Sequence, residues 1–315
     1  MTDALIGLDI GGTTIAAGVV IDGRVTARRT APTPRTGGHD VVRRAAELVD
    51  ALRGDTPVEA GVGEIRVGAI GVGAPGTVDP ATGVVTSCTD VLPGWLDTPI
   101  AELLTARAGL PVSVDNDVRA AALAHTHDPV LAGHRRVLHV SLGTGVGGAL
   151  SCDGRILRGT AGTAGEIAHL LVPEPGEHPC GCGRRDHLEA VAAGPAIAAA
   201  YRARAGAGEA DLVEVAARLR DGDRAAAEVV EHAGLLLGRT LSGLVTALDV
   251  DAVLVAGGAA GIGPPLLDPL SRALHAETRP PGRVTPVLRP TVPDAPVLGA
   301  ALLATHPLPG GHREP

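Results

Sequence analysis

His169, Cys180, Cys182 and His187 lie within one short segment, with Glu166 and Glu189 close by on either side. Neutral imidazole and thiolate at such spacing suit Zn2+, and four protein ligands suit a closed structural site rather than an open catalytic one. The two carboxylates can accept hydrogen bonds from vicinal hydroxyl groups, so the segment reads as a metal-stiffened loop facing a polyol. A redox pair of unusual spacing and plain coincidence are the competing readings of Cys180 and Cys182. The chain has four cysteines, the others being Cys88 and Cys152. Clustering of this kind, without an export signal, favours metal or catalysis over disulfides.

A second pattern occurs twice. Leu8-Asp-Ile-Gly-Gly-Thr-Thr-Ile-Ala-Ala-Gly18 and Ser141-Leu-Gly-Thr-Gly-Val-Gly-Gly-Ala-Leu150 both read as strand, Gly/Thr turn, strand. Each turn could offer backbone N–H groups and Thr hydroxyls to a polyphosphate. One such turn alone is usually a tight hairpin. Two of them suggest duplicated α/β domains facing each other across a cleft, a favoured place for a ligand. A third candidate is Asp115-Asn116-Asp117, at the start of a helix expected over Val118–Ala124. Asp117 there serves either as a helix cap or as a chemical base, and the residues alone do not choose.

The elements that must position these groups follow from periodicity. Strands are expected at Ala4–Ile10, Ile15–Ile21, Arg24–Thr30, Ile65–Val72, Val112–Val114, Val137–Leu142, Val146–Leu150 and Ala252–Ala256. Helices are expected at Asp40–Leu52, Leu188–Arg204, Asp211–Leu219, Arg224–Ala247, Leu266–Glu277 and Val297–Ala304, with a loop at Gly54–Gly63 and a frayed tail from Pro307. The 315 residues, 45% hydrophobic, suffice for two domains with real cores. Trp95 and Tyr201 are the only aromatic residues, and the net charge is −8. Base-stacking platforms and phosphate-neutralising surface are therefore lacking, which argues against a nucleic-acid partner. All 27 basic residues are Arg, so a Walker-type phosphate loop, which needs Lys, is excluded. The N-terminus lacks a basic leader, and no apolar run approaches the roughly 20 residues that cross a bilayer. A soluble, cytoplasmic protein is expected.

Taken in order, these pieces resemble the ROK family of sugar kinases and sugar-sensing repressors. The resemblance runs from about Ile6 to Leu303 and rests on Asp9-Ile-Gly-Gly-Thr-Thr, Gly73-Ala-Pro-Gly-Thr-Val-Asp, Leu92-Pro-Gly-Trp95, Asn116-Asp117, Leu142-Gly-Thr-Gly-Val-Gly-Gly148, Gly165-Glu166-Ile-Ala-His169, the Cys-x-Cys-Gly segment and Gly257-Gly258. It implies an actin-like ATPase (ribonuclease-H-like) α/β fold with two domains around a central cleft. The boundaries would be 1–116, completed by a C-terminal helix near 297–306, and 117–296, carrying the zinc and sugar loop. It also implies transfer of the ATP γ-phosphoryl group to a hexose, with glucose leading and N-acetylmannosamine, N-acetylglucosamine and fructose behind, by a homodimer or homotetramer.

The resemblance assigns the catalytic base to Asp117 and Mg2+ to Asp9. Phosphate and adenosine contacts would come from Asp9, Gly11, Gly12, Thr13, Thr14, Gly143, Thr144, Gly145, Gly257 and Gly258. Gly76, Thr89, Asn116, Asp117, Glu166, His169 and Glu189 would contact the sugar, and His169 would also be a zinc ligand. Asp115 is expected to be a solvated neighbour, and His39, His125 and His232 to be surface or helix-face residues. Family-typical residues are replaced by Val91, Arg119, His125 and His187, the last giving a Cys2His2 set. A repressor of the family would need a helix-turn-helix ahead of the first phosphate motif, and none is expected here. A non-catalytic sugar-binding regulator is disfavoured by the presence of both Asp9 and Asp117.

Overall fold

The computed structural model describes residues 3–55, 66–89, 92–206, 208–280 and 284–305. Most of the loop expected at 54–63, Val91 and the tail from Pro307 lie outside the described residues. By its contacts the chain divides into two units. The first comprises Met1–Asp128, Gly159–Thr163 and Val292–Pro315, and the second Pro129–Arg158 and Ala164–Thr291.

The first unit runs β1 (Asp3–Ile10), β2 (Thr14–Ile21), β3 (Arg24–Pro32), α1 (Gly38–Asp55), β4 (Arg66–Ala74), β5 (Thr77–Asp79), β6 (Val84–Ser87), α2 (Ile100–Ala108), β7 (Val112–Asn116) and α3 (Asp117–His125). The second runs β8 (Arg136–Leu142), β9 (Val146–Cys152), β10 (Arg155–Leu157), α4 (Glu189–Ala192), α5 (Gly194–Ala205), α6 (Leu212–Arg220), α7 (Arg224–Leu248), β11 (Ala252–Ala256), α8 (Pro264–Glu277) and β12 (Val287–Leu288). The chain then returns to the first unit with α9 (Ala295–Leu303). The two main sheets have the same plan: β3-β2-β1-β4-β7 and β10-β9-β8-β11-β12. In each, three strands form an antiparallel meander and two more join in parallel. The repeated Gly/Thr turn is thus the first hairpin of each sheet.

Alternation along β1 separates its two faces. Ile6, Leu8 and Ile10 are fully buried in a core with Val41, Val49 and Leu52 of α1 and Leu104 of α2. Gly7 points the other way, and register aligns it with Gly18 on β2 and Gly71 on β4. Helix α9 lies on this row of glycines. A Cβ at Gly7 would sit 1.9 Å from the Val297 carbonyl oxygen, and one at Gly71 would sit 1.7 Å from that of Ala300. Gly299 of α9 meets α3 in the same way, with a notional Cβ 1.8 Å from the Ala120 carbonyl oxygen. Backbone touches backbone, so no side chain fits. In the second unit Gly234 and Gly238 of α7 admit α8 by the same device, against the carbonyls of Leu266 and Leu270.

One expected element is split. The helix expected over Leu188–Arg204 breaks at Ala193, which is extended (ψ 152°). Pro195 cannot supply the N–H that a continuous helix would need, and it sits in the first turn of α5 instead.

Gly71→Ala should destabilise the protein by about 3 kcal/mol or more through overpacking against α9. Gly68→Ala on the same strand, where the nearest neighbouring atom is 4.0 Å from the added Cβ, should stay within about 0.5 kcal/mol. Urea unfolding of the two variants measures the difference.

Candidate active site

Three parallel strands of the first unit end side by side, and their C-terminal ends carry the polar residues. Register pairs Asp9 on β1 with Gly73 on β4, and Gly73 with Asp115 on β7. Ligands of open α/β sheets bind outside such carboxyl ends. Burial pushes the Asp9 carboxyl up to about 6, against a smaller lowering by Arg28. The turn that follows Asp9 is tied down from β3 onward. Gly11 N–H donates to the Thr14 carbonyl (3.0 Å) and the Thr33 hydroxyl donates to the Gly11 carbonyl (2.7 Å). Thr33 N–H donates to the Thr13 carbonyl (3.0 Å), and Arg35 donates to the Gly12 carbonyl (3.2 Å). Thr13 and Thr14 stay exposed. Thr33 and Arg35 were not legible as site residues, because their role is to fix a turn some 20 positions away.

Asn116, not Asp117, caps α3: its Oδ1 accepts from Val118 N–H (3.0 Å) and Arg119 N–H (3.1 Å). Its amide donates to Asp117 Oδ1 (2.9 Å) and to the Gly76 carbonyl (3.1 Å). The asparagine therefore orients Asp117 and ties it to the Gly76 loop. Gly76 has φ +89°, and a Cβ there would lie 2.4 Å from the Ser87 carbonyl oxygen and 3.1 Å from the Cys88 side chain, next to Thr89. Trp95, buried, donates its indole N–H to the Pro75 carbonyl (2.9 Å) and holds that loop from below.

Two expectations in this region are corrected. Asp115 is not solvated: it is 1% exposed, accepts from Asn116 N–H (2.8 Å) and lies 3.7 Å from the equally buried guanidinium of Arg119. His125 is buried as well, and that burial lowers it to about 4 against a raising effect of Asp128. Arg119 also donates to the Gly162 carbonyl (2.5 Å), fastening the Gly159–Thr163 segment to the first unit. A cation in the first turn of a helix opposes the helix dipole. Asp115 and the Gly162 carbonyl compensate it, and removing either partner of such a buried pair is costly.

In the second unit the other Gly/Thr turn closes with Gly143 N–H donating to the Gly145 carbonyl (2.9 Å). The break at Ala193 frees Gly194 N–H to donate to the Gly143 carbonyl (2.8 Å). Glu189, the first residue of α4, accepts from Val146 N–H at Oε2 (3.1 Å). Gly257, with φ +93°, follows the end of β11, and its Cβ would lie 2.3 Å from the Leu142 carbonyl oxygen. Gly143–Gly145, Glu189 and Gly257–Gly258 are thereby gathered at the C-terminal ends of β8 and β11.

His169, Cys180, Cys182 and His187 come together as the sequence suggests, with one ligand atom from each within 4.8 Å of all the others. Cys180 and His187 are buried, His169 and Cys182 exposed. The Cys182 sulfur is 3.2 Å from His187 Nδ1, and the rings of His169 and His187 meet edge-on at 5.2 Å. Burial, and after it His169, lowers the His187 pKa; burial raises the Cys180 thiol. The loop is prearranged by bridges Leu171↔His187 and Pro179↔Arg185. The Asp186 carboxylate accepts from Gly176 and His178 N–H groups, which hold it below the usual range. Glu166 lies in the same unit, three residues before His169 and just ahead of a short 3-10 turn, Ile167–His169.

Asp9→Asn should stabilise the protein in a pH-dependent way. The folded carboxyl is raised above its ordinary 3.8, so its ionisation costs stability as the pH climbs through about 6. The variant should gain about 1–3 kcal/mol at pH 8 and nothing below about pH 4. Equilibrium unfolding across that range checks the sign.

Residues 5–306 match the ROK family. The chain is 32% identical over 314 residues to a glucokinase of Thermotoga maritima, covering 94% of this chain and 96% of that protein. It is 33% identical to an N-acetylmannosamine kinase of Salmonella typhimurium, covering 95% and 97%. A ROK family glucokinase of Streptomyces griseus, solved with glucose and AMPPNP, superposes with a TM-score of 0.84 at 29% identity, covering 96% of this chain and 99% of that one. The paired α/β units have the actin-like ATPase fold of those kinases. With its motifs in family order and the match spanning nearly its whole length, the chain belongs to the ROK family.

Proposed function

We propose that this ATP-dependent sugar kinase phosphorylates a hexose, with glucose the leading substrate and glucose 6-phosphate the product. The observation that carries the reading is Asp117, the first residue of α3 directly after β7, oriented by Asn116, in a chain similar to a glucokinase solved with glucose and AMPPNP. Phosphoryl transfer asks mainly for positioning and charge stabilisation, with an acceptor for the hydroxyl proton as the new bond forms. Asp117 is the proposed acceptor. Gly76, Thr89, Asn116, Glu166, His169 and Glu189 are the proposed sugar contacts. Thr13, Thr14 and Thr144 with the glycines of their turns would hold phosphate oxygens, and Gly257–Gly258 the adenosine side. Asp9 would hold Mg2+, which neutralises phosphate charge that no Lys is present to meet.

The Cys2His2 cluster fits zinc by donor type and number. Bonds of about 2.0–2.3 Å place tetrahedral ligands roughly 3.3–3.8 Å apart, so a small inward shift of the four atoms would complete the site. Bound there, zinc would supply no chemistry to the transfer. His169 could present one ring nitrogen to the metal and the other to a sugar hydroxyl, its orientation fixed by the metal. Phosphorylation of N-acetylmannosamine is the second reading, supported by the Salmonella relative.

ADP release measured over glucose, N-acetylmannosamine, N-acetylglucosamine and fructose tests the substrate, and glucose should give the highest kcat/KM. Asp117→Asn should lower kcat by about 10²–10⁴-fold with sugar affinity nearly intact, because the amide keeps the shape but takes no proton. More than about a tenth of wild-type turnover would place the base elsewhere.

Metal analysis of the purified protein should find one zinc per chain, and Cys182→Ala should lose the metal and weaken sugar binding. A variant that keeps both would overturn the zinc assignment.

A further inference from the structure

Glu189 makes a contact that sugar recognition does not require. Its Oε2 accepts from Val146 N–H at 3.1 Å, and Val146 directly follows Thr144-Gly145. The carboxylate lies flush against the turn: a Cβ on Gly145 would come within 2.6 Å of Oε2. Its own root is fixed, since Leu188 is fully buried and donates its N–H to the Leu170 carbonyl (2.8 Å). At the other end of the turn, Gly194 N–H donates to the Gly143 carbonyl (2.8 Å). The turn is therefore fastened at both of its ends, by the side chain of Glu189, the first residue of α4, and by the main-chain N–H of Gly194, the first residue of α5.

A carboxylate beside a phosphate-binding turn runs against simple electrostatics, because it repels the phosphate it stands near. The first turn is fastened instead by a hydroxyl and a guanidinium, those of Thr33 and Arg35. We infer that Glu189 is a positioning residue for the nucleotide as well as a sugar contact, bracing the second Gly/Thr turn in its phosphate-binding shape. The inference rests on the kinase reading above and deepens it. One carboxylate then serves two ligands, so whatever a sugar hydroxyl does to Glu189 is felt by the turn, and the coupling is reciprocal.

Calorimetric titration of the full-length, sugar-free protein with ADP and Mg2+ tests this. Glu189→Ala, which removes the acceptor, should raise the ADP Kd about 5–10-fold, the scale of one charge-assisted hydrogen bond only partly expressed in binding. Glu189→Gln keeps an acceptor and sheds the charge, so it should bind ADP at least as tightly as wild type. Reciprocally, Gly145→Ala should push the carboxylate aside and raise the glucose Kd of the nucleotide-free protein about fivefold or more. This second variant decides the matter should Glu189→Ala fail to fold by circular dichroism. If Glu189→Ala binds ADP within twofold of wild type, or Gly145→Ala leaves glucose affinity unchanged, the brace does not exist and the carboxylate serves the sugar alone. Wild-type protein that binds no ADP would instead overturn the kinase reading, which separates the two failures.

Discussion

Direct contact between the backbone of α9 and a row of strand glycines is the constraint on which the first unit depends. Gly18, Gly7 and Gly71 leave a smooth trough across three strands; the carbonyls of Val297 and Ala300 occupy the space that side chains at Gly7 and Gly71 would take, and the Val297 side chain the space at Gly18. Because the helix sits so low, it also reaches α3, where Gly299 meets the Ala120 carbonyl. Helix α3 in turn begins against Gly73, with a notional Cβ there 3.2 Å from the Asp117 Cα. The position of the proposed base is thus set by successive main-chain contacts, with little slack for side-chain rearrangement.

Charge at the site is organised without lysine. The carboxyl of Asp9 is kept costly to ionise by burial, a state that a divalent cation would relieve. Arg119 neutralises Asp115 within the protein and also donates to the Gly162 carbonyl. Both Gly/Thr turns hold their shape through contacts to neighbouring elements rather than through their own glycines alone.

Much of this was legible in the sequence, and the rest was not for identifiable reasons. The two hairpins, the cluster of His169, Cys180, Cys182 and His187 and the helix after Asp117 are local patterns, and local patterns survive folding. Asp115 and His125 were misjudged because polar residues are usually exposed; the partner of the first is Arg119, a turn further on, whose own burial gives no sequence signal. The Leu188–Arg204 run has helical composition throughout, and only Pro195 hinted at the break that brings Gly194 to Gly143. The glycines at positions 7, 18 and 71 look like weak points in strands until the distant helix that needs them is known.

The place of α9 in the chain has a consequence for biosynthesis. Every strand of the first sheet is made before any part of the second unit, yet the helix that fills its glycine trough is made after all of it. While the ribosome is still translating the second unit, the first sheet has one face uncovered, with Val297, Ala300 and Leu303 not yet synthesised to bury against it. The second unit, continuous in its core strands and helices, can fold in that interval. Final closure of the first unit is therefore a late event, and chains interrupted before residue 295 would expose a bare sheet face to chaperones and proteases.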